Sequence, residues 1–148
     1  EEILNKKILD LYLHKSIKKK KGAANPIKYL YPNYLKDIKH KLLVININKS
    51  YKTKESIYEA TRKWWVINPE KANEIDYILS EYKWVTRAIF KATKPWMKSP
   101  EHKKTRRWFE GEKVLDKKIL DLYLHKMVKR KKGSSNPIRY FYPKTFNK

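Results

Sequence analysis

A long internal repeat constrains this chain more than any other feature of its sequence. Residues 6–32 read KKILDLYLHKSIKKKKGAANPIKYLYP, and residues 117–143 read KKILDLYLHKMVKRKKGSSNPIRYFYP. Twenty of these 27 positions are identical at an offset of 111 residues, and the seven differences are conservative. Self-similarity of this kind indicates a duplicated structural unit. We therefore expect one domain at residues 33–148, preceded by a partial repeat at residues 1–32 that copies residues 112–143.

Two origins of the repeat fit the sequence. Tandem duplication of a unit of about 111 residues would make residues 1–32 the last part of a preceding unit. Local duplication would instead place one basic element at both ends of the chain. In either case each copy reads as a short helix, a basic loop, an Asn-Pro pair and a strand. The N-terminal copy would then pack against its own domain, or two chains would exchange it and form a homodimer.

The charge of the chain indicates a polyanionic partner. Lys and Arg number 37 against 15 Asp and Glu, so the formal net charge is +22. A lysine-rich genomic background usually adds glutamate as well as lysine, whereas acidic residues are scarce here. A basic surface attracts nucleic acid because binding releases the condensed counterions. We therefore predict that the partner is nucleic acid, either DNA or RNA.

Several other classes of function are not favoured by the sequence. The chain has no cysteine, which removes disulfide bonds, thiol nucleophiles and thiolate metal sites. No apolar run is long enough for a transmembrane helix and no signal peptide is visible, so we expect no membrane partner and an intracellular location, cytoplasmic or nuclear. The four histidines lack neighbours at metal-ligand spacing, and there is no glycine-rich phosphate loop. The sequence predicts no metal, no cofactor and no enzyme activity.

The region between the two copies alternates short strands and helices, which predicts an α+β fold. Residues 41–48, 84–93 and 106–110 read as strands, and Gly111 would end the last of them. Residues 97–105 read as a basic loop.

Two helix starts are visible in the same region. Ser56 with Glu59 three residues later is the capping-box pattern, for a helix that would end near Trp65. Asn68 followed by Pro69 marks the start of a second short helix.

Three runs in the central region carry a resemblance to a known family. They are LLVININKSY, SIYEATRKWWVINPEKANEIDYILSEYKWVTRAIFKATKPW and RRWFEGEKV. Together they resemble the PUA-like superfamily, which includes the EVE, ASCH and YTH domains. The resemblance covers most of residues 41–143, with NPIRYFY as the last strand. It implies a small, curled β-barrel with short helices that binds nucleic acid. It also implies a reader of a modified or flipped base that targets a larger restriction, repair or RNA-processing protein. The tryptophan spacing departs from that of the modified-base readers, so no particular base is implied.

Aromatic residues are the candidates for base contact. Trp64 and Trp65 are adjacent, and neighbouring residues on a helix point about 100° apart, so only one of these rings can enter a given core face. The other ring would be free to stack on a base, although both rings filling the core is an equally good interpretation. Trp84, on the apolar face of its strand, is expected in the core. The predicted base-binding pocket comprises Ser50, Tyr51, Trp64, Trp65, Trp96 and Trp108.

Basic residues near the repeat and the last strands are the candidates for phosphate contact. Such contacts position a nucleic acid and do not read its sequence. Two alternatives stay open: a Mg²⁺-dependent nuclease that uses Glu81, and a scaffold whose repeats associate with one another. The predicted phosphate-binding residues are Lys18, Lys19, Lys20, Lys21, Lys49, Arg62, Arg106, Arg107, Lys129, Arg130, Lys131 and Lys132.

Overall fold

The computed structural model describes residues 33–100, 105–129 and 136–144. The chain divides into two units, Glu1–Asn33 and Tyr34–Lys148, and every element below belongs to the second unit. The N-terminal copy of the repeat at residues 6–32 lies outside the described residues. Its predicted helix, loop and strand therefore stay a prediction.

Eight strands and three helices make up the described part of the second unit. The helices are α1 (Ile57–Arg62), α2 (Pro69–Asn73) and α3 (Lys117–Tyr123). The strands are β1 (Leu42–Asn46), β2 (Trp65–Val66), β3 (Tyr77–Tyr82), β4 (Val85–Ala92), β5 (Met97–Lys98), β6 (Arg106–Trp108), β7 (Gly111–Lys113) and β8 (Ile138–Phe141). This content confirms the predicted α+β class.

The strands form two sheets. A five-stranded sheet has the order β7-β4-β3-β1-β8, and a three-stranded sheet has the order β2-β6-β5. The larger sheet is mixed, because β1 runs parallel to β3 and antiparallel to β8. Its outer strands in the described part of the chain are β7 and β8, so the closed barrel implied by the resemblance stays a prediction.

Apolar side chains cover both faces of the larger sheet. Alternate residues of a strand point to opposite faces, and in β1 the residues Leu43 and Ile45 pack in one cluster while Leu42 and Val44 pack in another. The first cluster includes α1 and the Trp96 and Phe109 rings, and the second includes α3. The sheet is therefore sandwiched between α1, with its neighbouring small sheet, and α3.

The two predicted helix starts are confirmed. The Ser56 side chain accepts a hydrogen bond from the Glu59 amide at 3.1 Å, and Asn68 caps α2 by accepting from the amides of Glu70 and Lys71. The predicted end of α1 is wrong, because the helix stops at Arg62. Trp64 and Trp65 therefore lie outside the helix, and the 100° argument that separated their rings does not apply to them.

The strand β3 was missed by the sequence analysis, and Trp84 was placed wrongly. Tyr82 pairs with Val85, which leaves a two-residue turn at Lys83 and Trp84. Both turn residues have positive φ angles, 47° and 68°, as in the turns that match the twist of a hairpin. Trp84 is consequently 39% exposed and is not part of the core.

Gly111 begins a strand, which corrects the prediction that it ends one. A Cβ atom at this position would lie 2.5 Å from the carbonyl oxygen of Lys91 on β4. Only glycine allows β7 to approach β4 so closely. The predicted loop at residues 97–105 is also wrong in part, because β5 occupies Met97–Lys98.

The C-terminal copy of the repeat has the predicted form of helix and strand. The Asp116 side chain caps α3, and β8 follows the Asn136-Pro137 pair. Between them, the backbone around Met127 bridges to Val85 and to Tyr34. Within the described ranges, no helix is both long and apolar enough to cross a membrane.

Candidate nucleic-acid interface

The end of α1 and the small sheet bring five of the aromatic and basic side chains together. We call the group formed by Arg62, Lys63, Trp64, Arg106 and Trp108 the cationic–aromatic face. Arg62 ends α1, Lys63 and Trp64 lie between α1 and β2, and β6 carries Arg106 and Trp108. Because β6 pairs antiparallel with β2, the residues after α1 lie beside those of β6.

Two indole rings meet on this face. The centroids of Trp64 and Trp108 are 6.0 Å apart, and the ring planes are inclined by 73° in an edge-to-face contact. Such pairs contribute about 0.5–1.5 kcal/mol beyond the area they bury. The Trp108 indole nitrogen also donates a hydrogen bond to the Lys98 carbonyl at 3.3 Å. Both rings are half-buried, so each is held in place while part of it faces solvent.

Arg62 packs against the ring of Trp108. Its guanidinium carbon lies 4.8 Å from the centroid of the Trp108 ring. Its Nη1 atom donates to both carboxylate oxygens of Glu59, at 3.1 and 3.0 Å. Its Nε atom donates to the Phe109 carbonyl at 3.4 Å. These contacts fix the side chain and offset its charge, so Arg62 serves as the platform for Trp108.

Lys63 and Arg106 supply the accessible positive charge. The Lys63 ammonium lies 5.4 Å from the centroid of the Trp64 ring and 3.8 Å from a Glu59 oxygen. The exposed Arg106 guanidinium donates to the Trp64 carbonyl at 3.1 Å. Of these cations, Arg62 and Lys63 contact the carboxylate of Glu59. The face carries a net positive charge, which suits an anionic ligand.

Trp65 and Arg107 occupy paired positions on β2 and β6 and so point to the same face of the small sheet. The Trp65 indole donates to the Thr61 carbonyl at 2.7 Å and packs against the first apolar cluster. The Nε atom of Arg107 is buried without a hydrogen-bond partner in the described part of the chain. Trp65 therefore helps to anchor the small sheet to the core.

Three residues of the predicted pocket lie elsewhere. Tyr51 is 4% exposed and stacks on Tyr82, with ring centroids 3.5 Å apart. Trp96 is 6% exposed and packs on Phe109 at 4.9 Å. The Ser50 hydroxyl donates to the Ala60 carbonyl at 3.0 Å, which ties the turn after β1 to α1. Tyr51 and Trp96 are core residues, so neither ring is accessible to a base in this conformation.

The remaining predicted phosphate contacts are scattered or outside the described residues. Lys49 is exposed in the turn after β1. Lys129 follows the C-terminal helix, and its ammonium lies 5.3 Å from the centroid of the Tyr34 ring. The residues that lie outside the described ranges are Lys18, Lys19, Lys20, Lys21, Arg130, Lys131 and Lys132.

Lys63 is the member of the face that sequence reasoning missed. Its position between Arg62 and Trp64 was the available signal, because a cation next to an indole often pairs with it. Glu59 was identified only as a capping residue, but its carboxylate holds Arg62 and Lys63. This second role depends on the i,i+3 and i,i+4 spacing along α1, a spacing that brings side chains together on a helix.

Several ionisable groups lie outside the cationic–aromatic face. Glu81, the residue on which the nuclease alternative depends, is 3% exposed in β3. Among the described residues, no group of three or more His, Asp or Glu side chains is arranged to hold a metal ion. Partial desolvation of the ring lowers the pKa of His125, although the residue stays exposed, and the nearby charges of Arg87 and Lys126 lower it further. Burial also raises the pKa of the Tyr123 hydroxyl.

Comparison with known proteins adds no relative from which a function could be transferred. No family model matches the chain, and no curated protein or solved structure is significantly similar to it. We therefore infer a function from the geometry of the cationic–aromatic face and from the charge of the chain.

Proposed function

We propose that this chain binds nucleic acid through the cationic–aromatic face, with a base stacked on Trp64 and phosphates held by Lys63 and Arg106. The observation that supports the proposal most strongly is the edge-to-face pair of half-buried indoles beside three cations, two of which contact the Glu59 carboxylate. The net charge of +22 supplies the long-range attraction.

Each component of the face has a distinct role in the proposal. Stacking on an aromatic ring contributes about 1–3 kcal/mol per base and tolerates any base. The Trp108 contact holds the Trp64 ring plane before binding, which reduces the entropy lost when a base stacks on it. The cations act on the phosphates, and so they set position and affinity but not sequence preference.

The proposal names single-stranded nucleic acid, or a base flipped out of a duplex, as the ligand class. A base that is still stacked in a duplex cannot offer its ring face to an indole. The resemblance to PUA-like domains supports a finer form of the same proposal, in which the face reads a modified or flipped base. In that form the chain targets a larger restriction, repair or RNA-processing protein to its substrate.

The test is a binding titration of the full chain against four labelled oligonucleotides of one sequence: single-stranded and duplex, DNA and RNA. We expect the single strands to bind more tightly than the fully paired duplexes. A fifth oligonucleotide, a duplex with one unpaired base, should also bind more tightly than the fully paired duplexes. Equal affinity for all four would mean that charge alone drives binding and that the indoles take no part. Mg²⁺-dependent cleavage that Glu81→Ala abolishes would instead favour the nuclease.

A further inference from the structure

A cavity of ≈ 710 Å³ lies where the end of β8 meets the segment that leads into β1. Its lining residues come from two stretches of the second unit, residues 35–39 and 141–144. The antiparallel pairing of Leu42 with Phe141 brings these two stretches together. The volume falls within the range of about 300–1,000 Å³ that is usual for small-molecule sites. We call this site the β8 cavity.

The walls of the β8 cavity are largely apolar. Leu35 and Ile38 line it from the segment before β1, and Phe141 and Pro143 line it from the end of β8. The side chains of Leu35, Ile38 and Phe141 also pack against the second apolar cluster, which holds these walls in place. Apolar walls of this kind favour a ligand with a weakly polar ring, because the ring is removed from water when it binds.

Tyr142 adds an accessible aromatic ring to the lining. The residue is 48% exposed and lines the β8 cavity. Its ring plane is inclined by only 10° to that of Tyr140, with the two ring centroids 6.4 Å apart. Tyr140 packs against the first apolar cluster, and the Lys71 ammonium lies 5.8 Å from the centroid of its ring. Tyr142 is therefore an exposed ring that stacks beside an anchored one.

The charged residues of the lining favour an anion. Lys36, Lys39 and Lys144 line the β8 cavity, and all three are exposed. Asp37 is the one acidic residue among the described residues that line it. The lining thus carries a net positive charge beside its apolar walls and its aromatic ring.

We propose that the β8 cavity binds one nucleotide of a single-stranded nucleic acid, with the base against Tyr142 and the phosphate held by Lys36, Lys39 and Lys144. The ligand class rests on the proposed function, and the cavity adds a second contact that shares no residue with the cationic–aromatic face. A nucleotide combines a flat ring, which stacks on an aromatic side chain, with an anionic phosphate, which pairs with lysine. An aliphatic acid would use the lysines and the walls but would leave the ring of Tyr142 without a stacking partner.

A nucleotide within a strand gains more from this cavity than a free nucleotide does. The β8 cavity and the cationic–aromatic face both belong to the second unit of the chain. Once a strand is bound at one of the two sites, its binding at the other is intramolecular and takes place at a high effective concentration. The two contacts together then hold the strand more tightly than either contact alone.

The test is a fluorescence anisotropy titration of the full chain with a labelled oligothymidylate of about 16 nucleotides, the upper end of the usual site size of one single-strand-binding domain. Tyr142→Ala should weaken binding at least about fivefold, because a stacking surface is lost. Tyr142→Phe keeps the ring and should bind like the unaltered chain. Tyr34→Ala is the matched control, because Tyr34 is also 48% exposed but does not line the cavity.

The lysines are tested in the same titration at several salt concentrations. Lys39→Gln with Lys144→Gln should lower the slope of log K against log salt by about 1, because one phosphate contact is lost. Lys117→Gln with Lys118→Gln removes the same charge from α3 and should leave the slope unchanged.

Four outcomes would overturn the proposal. Tyr142→Ala could bind like the unaltered chain, or Tyr34→Ala could lose as much affinity as Tyr142→Ala. Tyr142→Phe could lose as much as Tyr142→Ala, which would mean that stacking is not the contact. Thymidine monophosphate could compete as well as the oligonucleotide at equal concentration, which would make a free nucleotide the ligand.

Trp64→Ala in the same titration separates this proposal from the proposed function. A loss of affinity in Tyr142→Ala alone would support the β8 cavity and count against the cationic–aromatic face. A loss in Trp64→Ala alone would support the face and overturn the cavity. The two proposals together predict a loss in each single variant and a larger loss in the double variant.

Discussion

The indole rings of Trp64 and Trp108 meet edge to face, with centroids 6.0 Å apart and planes inclined by 73°. One ring follows α1 and the other ends β6, so the contact joins residues that are 44 positions apart. Arg62 stacks on Trp108 and Lys63 lies over Trp64, which places a cation against each ring. This relationship gives the proposed interface both its rigid stacking surface and its charge.

The adjacent residues Trp64 and Trp65 should respond differently to replacement by alanine. Trp64→Ala should weaken binding of a single-stranded oligonucleotide by about 1–3 kcal/mol, because a stacking surface is lost. Trp65→Ala should mainly lower the free energy of unfolding, by about 2–3 kcal/mol, because it removes core packing and leaves the Thr61 carbonyl unpaired. Fluorescence anisotropy and urea unfolding of each variant measure the two effects. Similar losses of stability in both variants, with unchanged binding, would make the pair purely structural.

Neutralising the two accessible cations should reduce the salt dependence of binding. Each lost phosphate contact lowers the slope of log K against log salt by about 1, so Lys63→Gln with Arg106→Gln should lower it by about 2. The matched control is Lys117→Gln with Lys118→Gln, which removes the same charge from α3 on the opposite face of the sheet. An equal reduction of the slope in both double variants would mean that net charge matters and position does not.

The elements that the sequence predicted are those with local signals. The Ser56 and Asn68 caps and the Asn-Pro pair before β8 each depend on residues within one turn of one another, and each was confirmed. The strand β3 has no such signal. It lies in the middle of a sheet covered on both faces, so the run Tyr77–Leu79 is apolar without the alternation that marks a half-exposed strand.

The rest of the site depends on contacts between distant parts of the chain. The two-residue strands β2 and β5 exist because β6 pairs with them on either side. The turn at Lys83 and Trp84 adopts left-handed backbone angles without the Asn or Gly that usually signals it. Tyr51 and Trp96 are buried by residues that are distant in the sequence, so the sequence near each ring does not show that it lies in the core.

The hydroxyl of Tyr123 should stabilise the fold, because it ties the C-terminal copy of the repeat to the segment that precedes β1. It accepts a hydrogen bond from the Lys39 amide at 3.0 Å and lies 2.7 Å from Nδ1 of His40. Tyr123→Phe should therefore lower the free energy of unfolding by about 1–2 kcal/mol. Tyr142→Phe, at a site that is 48% exposed, should change it by less than about 0.5 kcal/mol. Chemical denaturation of the two variants measures the difference, and equal values would contradict these bonds.

The stability of the chain should fall on mild acidification because of His125. Its pKa in the folded state is lowered by partial desolvation and by the charges of Arg87 and Lys126, so the unfolded chain takes up the proton first, and the effect is small because the residue is exposed. The contribution of the neutral ring is fully present above the ordinary histidine pKa of about 6.5 and is lost as the pH falls below it. His125→Gln should flatten this part of the pH profile of unfolding. A profile that the substitution leaves unchanged would assign the acid sensitivity to other groups.

Photochemical crosslinking to the tryptophans would locate a bound nucleic acid on the protein. The full chain would be irradiated with a single-stranded oligothymidylate, digested and analysed by mass spectrometry to locate each crosslinked residue. Trp84 serves as an internal control, because it is 39% exposed and lies in the β3–β4 turn, outside the cationic–aromatic face. We expect crosslinks at Trp64 and Trp108 that an excess of competing oligonucleotide suppresses. Crosslinks confined to Trp84 or to residues outside the face would contradict it.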